Sequence, residues 1–201
     1  APTGLSHGTV TVVSDGCGFE VTTLRKDTAT DGRHADVEFT TDWAEDAARR
    51  DFTFNAMSAR ADGKIFDLFG GHEDANAGRV CFIGNPRDRI QEDYLRILRY
   101  FRFLAHYGKE PPSDEVLAVC QELRAGLAQL SIERIRDELT KLMSAPDPSR
   151  AISAMICTSI LEDLLPEAHA PDRFERLIQT EKRVAFDLSK AAWRRRLMFL
   201  V

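Results

Sequence analysis

The period of the apolar pattern changes once along this chain, and that change constrains the fold more than any other feature. Before Arg87, β-branched residues alternate with polar ones in short runs. From Arg87 onward, apolar residues recur at helical spacing and prolines punctuate the runs. A single uniform layer cannot satisfy both periods. The pattern predicts an α+β fold in which a head with a small mixed β-sheet is followed by an all-helical extension. With 201 residues and 43% hydrophobic content, the chain can bury one sizeable core, or a modest head plus that extension.

In the front third, residues 8–13 and 18–25 read as the strands of a hairpin, with "SDGCG" supplying the turn. Residues 27–36 are polar, contain glycine and show no period, so they read as a mobile loop. "VEFT" reads as a short strand. Residues 41–58 read as one helix capped by Thr41 or Asp42, with Glu45 three beyond Asp42. Residues 63–71 read as a strand ending in a glycine turn. Helices are then expected over residues 88–107, 114–125, 131–143 and 148–156. The start at Ala1 and the uncapped finish at "RRRLMFLV" read as the ends of a fragment.

Charge and cysteine content narrow the function classes. The formal net charge is -5, so the chain is not a general polyanion binder, and any nucleic-acid contact needs a local basic patch. Cys17, Cys81, Cys120 and Cys157 are widely spaced with no C-x-x-C pair, which favours a reducing compartment over a disulfide framework. No run approaches the roughly 20 apolar residues that span a bilayer, and no secretory signal is visible.

The stretch "QEDYLRILRYFRF" lies inside the predicted 88–107 helix. At about 100° per residue, Ile90, Tyr94, Ile97, Leu98, Phe101 and Ala105 form a core stripe. Arg89, Asp93, Arg96, Tyr100 and Phe103 form an adjoining stripe. Asp93 and Arg96 are three apart, so one helix would set a carboxylate beside a planar fork of donors. A nucleobase edge offers the complementary alternation, an exocyclic amine beside a ring-nitrogen acceptor. Read alone, the same spacing describes an i,i+3 surface ion pair.

Three more stretches give that spacing a context: "RRDFTFNAM", "FDLFGGHEDANAGRVCFIGNP" and the β-rich front "GTVTVVSDGCGFEVTTLRKDTATDGRHADVEFTTDW". With "IQEDYLRILRYFRF", and in this order, they resemble the class II nucleotidyltransferases, specifically the tRNA CCA-adding enzymes, across residues 2–145. The bacterial poly(A) polymerases share the same head. The resemblance implies a nucleotidyltransferase-type head over residues 1–84, a helical neck carrying the nucleotide-reading helix over 85–145, and the start of an RNA-binding helical body over 146–201. It implies template-independent addition of C, C and A to tRNA 3′ ends from CTP and ATP, with Mg²⁺ held by carboxylates. Its partners would be the tRNA acceptor end, CTP and ATP, with no membrane and no DNA. The compartment would be the cytoplasm, or the mitochondrial matrix in a eukaryote.

Residue by residue, the resemblance assigns Arg50 and Asp51 to the ribose, with Asn55 completing their motif. It assigns Asp93 and Arg96 to the incoming base, and Arg99 and Arg102 to the nucleotide's phosphates. Asp67, Gly70 and Gly71 match a hinge between head and neck. Residues 130–143 match a motif that supports the reading helix, and residues 31–34 match a flexible loop in which His34 is a solvent-exposed residue rather than a metal ligand. Each assignment has a plainer counterpart. Arg49 and Arg50 can pair with Asp46 or Asp51, Asp67 can belong to a turn, and Glu133 and Arg134 to a capping box and an exposed charge. The basic cluster with Trp193 near the end is either RNA-facing or a basic turn on an exposed helix. The family's aspartate pair for metal should precede the front, and nothing here supplies it. Glu20 is the candidate third carboxylate, or simply a polar outward residue of the hairpin. The 201 residues alone are therefore expected not to polymerise nucleotides, since one carboxylate cannot hold two Mg²⁺ ions. A poly(A) polymerase using ATP, or a non-catalytic nucleotide- or RNA-binding remnant, are the alternatives.

Overall fold

The computed structural model describes residues 8–30, 35–184 and 192–201. The front is built from paired ribbons. β1 (Thr9–Ser14) and β2 (Cys17–Thr22) form an antiparallel hairpin turning at Asp15 and Gly16, whose φ values of 50° and 77° are both positive. Two consecutive left-handed residues match the twist of the flanking strands, and an Asp-Gly pair provides them at low cost. β3 (Arg25–Thr30) pairs with β4 (Ala35–Phe39), also antiparallel. The expected loop over 27–36 is thus largely strand: Asp27 faces Val37, Ala29 faces Asp36 and Thr30 faces Ala35. Ladder hydrogen bonds come from the backbone, so a polar stretch without side-chain period can still pair. Residues 31–34 lie outside the described residues. β5 (Ser58–Ala59) and β6 (Ile65–Phe66) make a third ribbon. Among the described residues the strands form three separate two-stranded antiparallel ribbons rather than one mixed sheet.

Between the second and third ribbons lies α1 (Trp43–Ala48), capped by Asp42, whose carboxylate accepts from Ala44 N–H at 2.8 Å. The expected helix over 41–58 stops here. Phe52 is extended (φ −120°, ψ 150°) and bridges to Phe82, and a 3₁₀ turn, Thr53–Ala56, follows. Thr53 N–H donates to Cys81 O, and Ile83 N–H donates to Asp51 O, both at 3.0 Å. Tertiary pairing overrides local helix preference, and it drives the fully buried Phe52 into the core.

The expected strand over 63–71 is also shorter, because the glycine turn opens a helix. In α2 (Gly71–Ala77), three amide donors of the first turn and its approach, Phe69, Gly71 and His72, point at the Asp67 carboxylate at 3.2, 2.9 and 2.8 Å. Gly70 takes φ 73° just before the helix. Gly71 lies so close to the 3₁₀ turn that an added Cβ would sit 2.3 Å from Thr53 O.

The remaining helices pack around one spine. α3 (Pro86–Glu92) and α4 (Leu95–Tyr107) replace the single helix expected over 88–107. The break falls at Asp93, which is extended (φ −156°, ψ 108°). It lets the Tyr94 ring lie on Gly126, where an added Cβ would come within 2.1 Å of the ring. α4 buries Ile97, Leu98, Tyr100, Phe101, Phe103, Leu104 and Ala105. Tyr100 and Phe103, expected on the polar stripe, are core because Phe52 and Phe82 arrive from the front to meet them. The Phe52 and Phe82 ring centroids are 4.7 Å apart, and those of Phe82 and Tyr100 5.8 Å.

α5 (Asp114–Leu123) continues as a 3₁₀ turn, Arg124–Gln129. α6 (Ile132–Met143) and α7 (Ser149–Cys157) pack on α4, and α8 (Ile160–Leu164), α9 (Pro171–Arg183) and α10 (Ala192–Leu200) complete the bundle. Both readings of the terminal basic cluster need correction at Arg196, which is 6% exposed. It pairs with Glu181 at 2.8 Å and donates to the carbonyls of Met143, the last residue of α6, and of Ala145 just beyond it. Arg196 is therefore a buried staple between α10, α9 and α6. Among the described residues no helix is long and apolar enough to cross a membrane.

Candidate nucleotide cleft

A cleft of about 530 Å³ opens where α1, the 3₁₀ turn, α4 and α6 converge. Arg25, Arg49, Arg50, Asp51, Asn55, Asp93, Leu95, Arg96, Arg99, Phe103 and Arg134 line it. Six of these are arginines and two are aspartates, so an acidic chain carries a locally basic pocket.

Asp46 organises the α1 wall. Its side chain is almost wholly buried, and it pairs with Arg49 through Oδ1 at 2.7 Å and with Arg50 through Oδ2 at 2.9 Å. Oδ1 also accepts the backbone N–H of Arg25 at 3.2 Å, and Arg49 Nε donates to Arg25 O at 3.0 Å. This junction fastens the β3–β4 ribbon to the cleft. Burial pushes the Asp46 carboxyl up, but hydrogen bonds from Arg49, Arg50 and the Arg25 amide outweigh it and hold the group below its ordinary range.

Asp51 links the front to α4. Its Oδ1 accepts from Phe52 N–H at 3.0 Å and from the Asn55 amide at 2.9 Å. Its Oδ2 accepts from Arg99 Nε at 2.6 Å. Arg50 Nη1 donates to Asn55 O at 3.2 Å. Arg50, Asn55, Asp51 and Arg99 thus form one connected chain along the wall.

The helix break changes the relation of Asp93 to Arg96. They are not an i,i+3 pair on one helix. Asp93 caps α4, accepting from Leu95 N–H through Oδ1 at 3.0 Å, while Oδ2 takes Arg134 of α6 at 2.7 Å. Arg96 pairs instead with Glu92, donates to Arg89 O at 2.8 Å and reaches Arg49 O at 3.3 Å. The two groups line the same cleft, Asp93 at the break and Arg96 in the first turn of α4, each held by its own partner. An acceptor and a donor fork are thereby presented separately and kept from neutralising one another.

Arg102 stands apart from the cleft's lining. It donates to the buried Glu138 of α6 at 2.6 Å and lies 4.1 Å over the Phe103 ring. Glu20 sits opposite Thr11 on the exposed β1–β2 ribbon. Among the described residues no group of three or more His, Cys, Asp or Glu could hold a metal ion, so these residues do not by themselves fit a two-metal site. The sequence reading missed Arg25 and Glu92 and gave Arg134 only a supporting or exposed place. The one available signal was the "ERIR" run, whose Arg134 meets Asp93 only because α6 packs beside the break.

Comparison with known proteins gives the cleft its family setting. The Poly A polymerase head domain family matches residues 1–81, and the family described as a probable RNA and SrmB-binding site of polymerase A matches residues 112–171. The human mitochondrial CCA tRNA nucleotidyltransferase 1 is 52% identical over 145 residues, covering 70% of this chain and 33% of that protein. The CCA-adding enzyme of Leuconostoc mesenteroides is 38% identical over 172 residues, covering 85% of this chain and 42% of that enzyme. The solved structure of the Bacillus stearothermophilus CCA-adding enzyme in complex with CTP superposes with a TM-score of 0.74 at 32% identity, covering 87% of this chain and 42% of that one. The chain spans about a third of the human relative and about two fifths of the Leuconostoc one.

Proposed function

Since the chain belongs to the CCA-adding enzyme family, whose head is shared with poly(A) polymerases, we propose that it serves template-independent addition of C, C and A to tRNA 3′ ends from CTP and ATP. Residues 1–84 act as part of the head, 85–145 as the neck and 146–201 as the start of an RNA-binding body. The cleft is the base- and ribose-reading half of the active site. Asp93 accepts from the exocyclic amine of cytosine or adenine, and Arg96 donates to the ring nitrogen beside it. Arg50 and Asp51 address the ribose with Asn55 in support, and Arg99 lies toward the phosphates. Arg102 acts from behind, through Phe103 and Glu138. Asp67, Gly70 and Gly71 form the pivot between head and neck. The tRNA acceptor end is the partner, and the compartment is the cytoplasm or mitochondrial matrix.

The observation that carries this reading is that six of the seven residues expected to bind nucleotide, spread from Arg50 to Arg99, line one cleft. Mg²⁺ would neutralise the phosphates during transfer, with Glu20 as this chain's candidate carboxylate. The described residues do not complete that site, so transfer by these 201 residues alone is not expected. A poly(A) polymerase reading follows from the same head match, and it predicts that ATP binds and CTP does not.

Isothermal titration of CTP and ATP into the chain tests the proposal. Both should bind, and Arg96→Ala should weaken each about tenfold or more, the loss of one charge-assisted hydrogen bond. Unchanged affinity for both nucleotides in Arg96→Ala would overturn the base-reading role.

A further inference from the structure

Asp46 carries a second consequence. Its carboxylate divides between two adjacent guanidinium groups, Oδ1 to Arg49 and Oδ2 to Arg50. Those two arginines are not equivalent. Arg49 commits Nε and Nη2 to Asp46 and also bonds Arg25 O, and its side chain is 17% exposed. Arg50 is held at both ends, by Asp46 through Nε and Nη2 and by Asn55 O through Nη1, yet its side chain is 45% exposed. Arg49 is thus a strut, and Arg50 is the arginine presented to a ligand.

Arg50 also has somewhere else to go. A second, largely apolar concavity of about 420 Å³, lined by Trp43, Met57, Phe66 and Leu68, lies on the other side of the Asp46–Arg50 pair. Arg50 lines both spaces. The buried carboxylate, itself part of that concavity's lining, opposes the mutual repulsion of the two guanidinium groups, and with Asn55 O on the cleft side it holds Arg50 at the boundary of the two spaces.

We infer that Asp46 is a positioning residue that sets ribose selectivity: by anchoring Arg50 at the edge of the cleft beside Asp51, it keeps that guanidinium from swinging into the apolar concavity and makes the site favour a ribonucleotide over its 2′-deoxy counterpart. This rests on the ribose-facing reading of Arg50 given above. Asp46 itself touches no nucleotide. Its loss would act on the 2′-hydroxyl contact, while base and phosphate contacts from Asp93, Arg96 and Arg99 persist.

The test is the ratio of CTP to dCTP dissociation constants in the 201-residue chain, for the wild type, Asp46→Asn, Asp46→Glu and Arg50→Ala. The wild type should prefer CTP. Asp46→Asn should reduce that preference about tenfold, and the double variant with Arg50→Ala should show no more loss than Arg50→Ala alone, because Asp46 acts through Arg50. Asp46→Glu keeps the charge but moves it by one methylene. It serves should the asparagine variant fail to fold, and it should also lower the ratio. Equal weakening of CTP and dCTP in the Asp46 variants, or a ratio that survives them, would reduce Asp46 to a structural group and overturn this proposal alone. A wild-type chain that binds CTP and dCTP equally would overturn the ribose reading of Arg50 together with it.

Discussion

The front ribbons and the helical region around α4 hold themselves together in opposite ways. In the β1–β2 hairpin, Val12, Val13, Phe19 and Val21 are all at least half exposed, and the ladder itself supplies the order. In α4, seven of thirteen residues are buried, and the helix is fixed by what packs on it from α6, α7 and Phe52. The cleft lies where the two modes meet. Its α4 and α6 groups stand on a packed core, whereas the ribbon reaches it through the polar junction of Arg25 with Asp46 and Arg49. The proposed nucleotide site thus has one wall set by close packing and another set by hydrogen bonds, which open at smaller cost.

This contrast can be broken most easily in the core. Phe101→Ala, at a fully buried position, should destabilise the chain by about 3–5 kcal/mol in urea unfolding. Phe19→Ala, at a position 56% exposed, should stay within about 0.5 kcal/mol. Equal costs would mean that the hairpin's apolar side chains are engaged as fully as those of α4.

Ion pairs should sort the same way, with a smaller margin. Arg196→Met leaves the carbonyls of Met143 and Ala145 without that donor and reduces Glu181 to its pair with Arg195, and should cost about 2 kcal/mol. Lys26→Ala removes an exposed pair with Glu38 on the β3–β4 ribbon and should cost less than about 1 kcal/mol. Thermal or urea midpoints of the two variants measure the difference.

The smallest effect is a pH dependence. The His72 amide above all, with those of Gly71 and Phe69, holds the Asp67 carboxyl below its ordinary range against a lesser effect of burial. A depressed folded value means that the stabilisation is complete above the unfolded carboxylate pKa of about 4 and is lost as pH falls through the folded value. Wild type and Asp67→Asn should therefore differ in urea midpoint at neutral pH, and the gap should close in strong acid. A gap that is constant with pH would remove Asp67 as an ionised cap of α2.

The sequence carried the class of fold, the hairpin and the helices over 131–143 and 148–156, because periodicity and turn chemistry are local signals. It also carried the identity of most cleft residues through the motif resemblance. It did not carry the breaks. Asp93 sits in an unbroken run of helix formers, and its extended backbone follows from the seat that Gly126 offers Tyr94, 32 positions further along the chain. Phe52 leaves the helical pattern to meet Phe82, another long-range pairing. Arg196 reads as a surface charge until the end of α6 and the turn after it present the carbonyls of Met143 and Ala145. In each case the deciding partner is distant in sequence, so neither period nor propensity announces it.

The central claim is that the cleft between α1 and α4 receives the nucleotide, with the break at Asp93 separating acceptor from donor. A crystal structure of the chain with CTP tests it most directly. The account predicts the cytosine edge within hydrogen-bonding distance of Asp93 and Arg96, with the ribose beside Arg50 and Asp51. A nucleotide seated in the concavity of Trp43 and Phe66, or a cleft in which α3 and α4 run as one helix with Asp93 and Arg96 paired to each other, would contradict it.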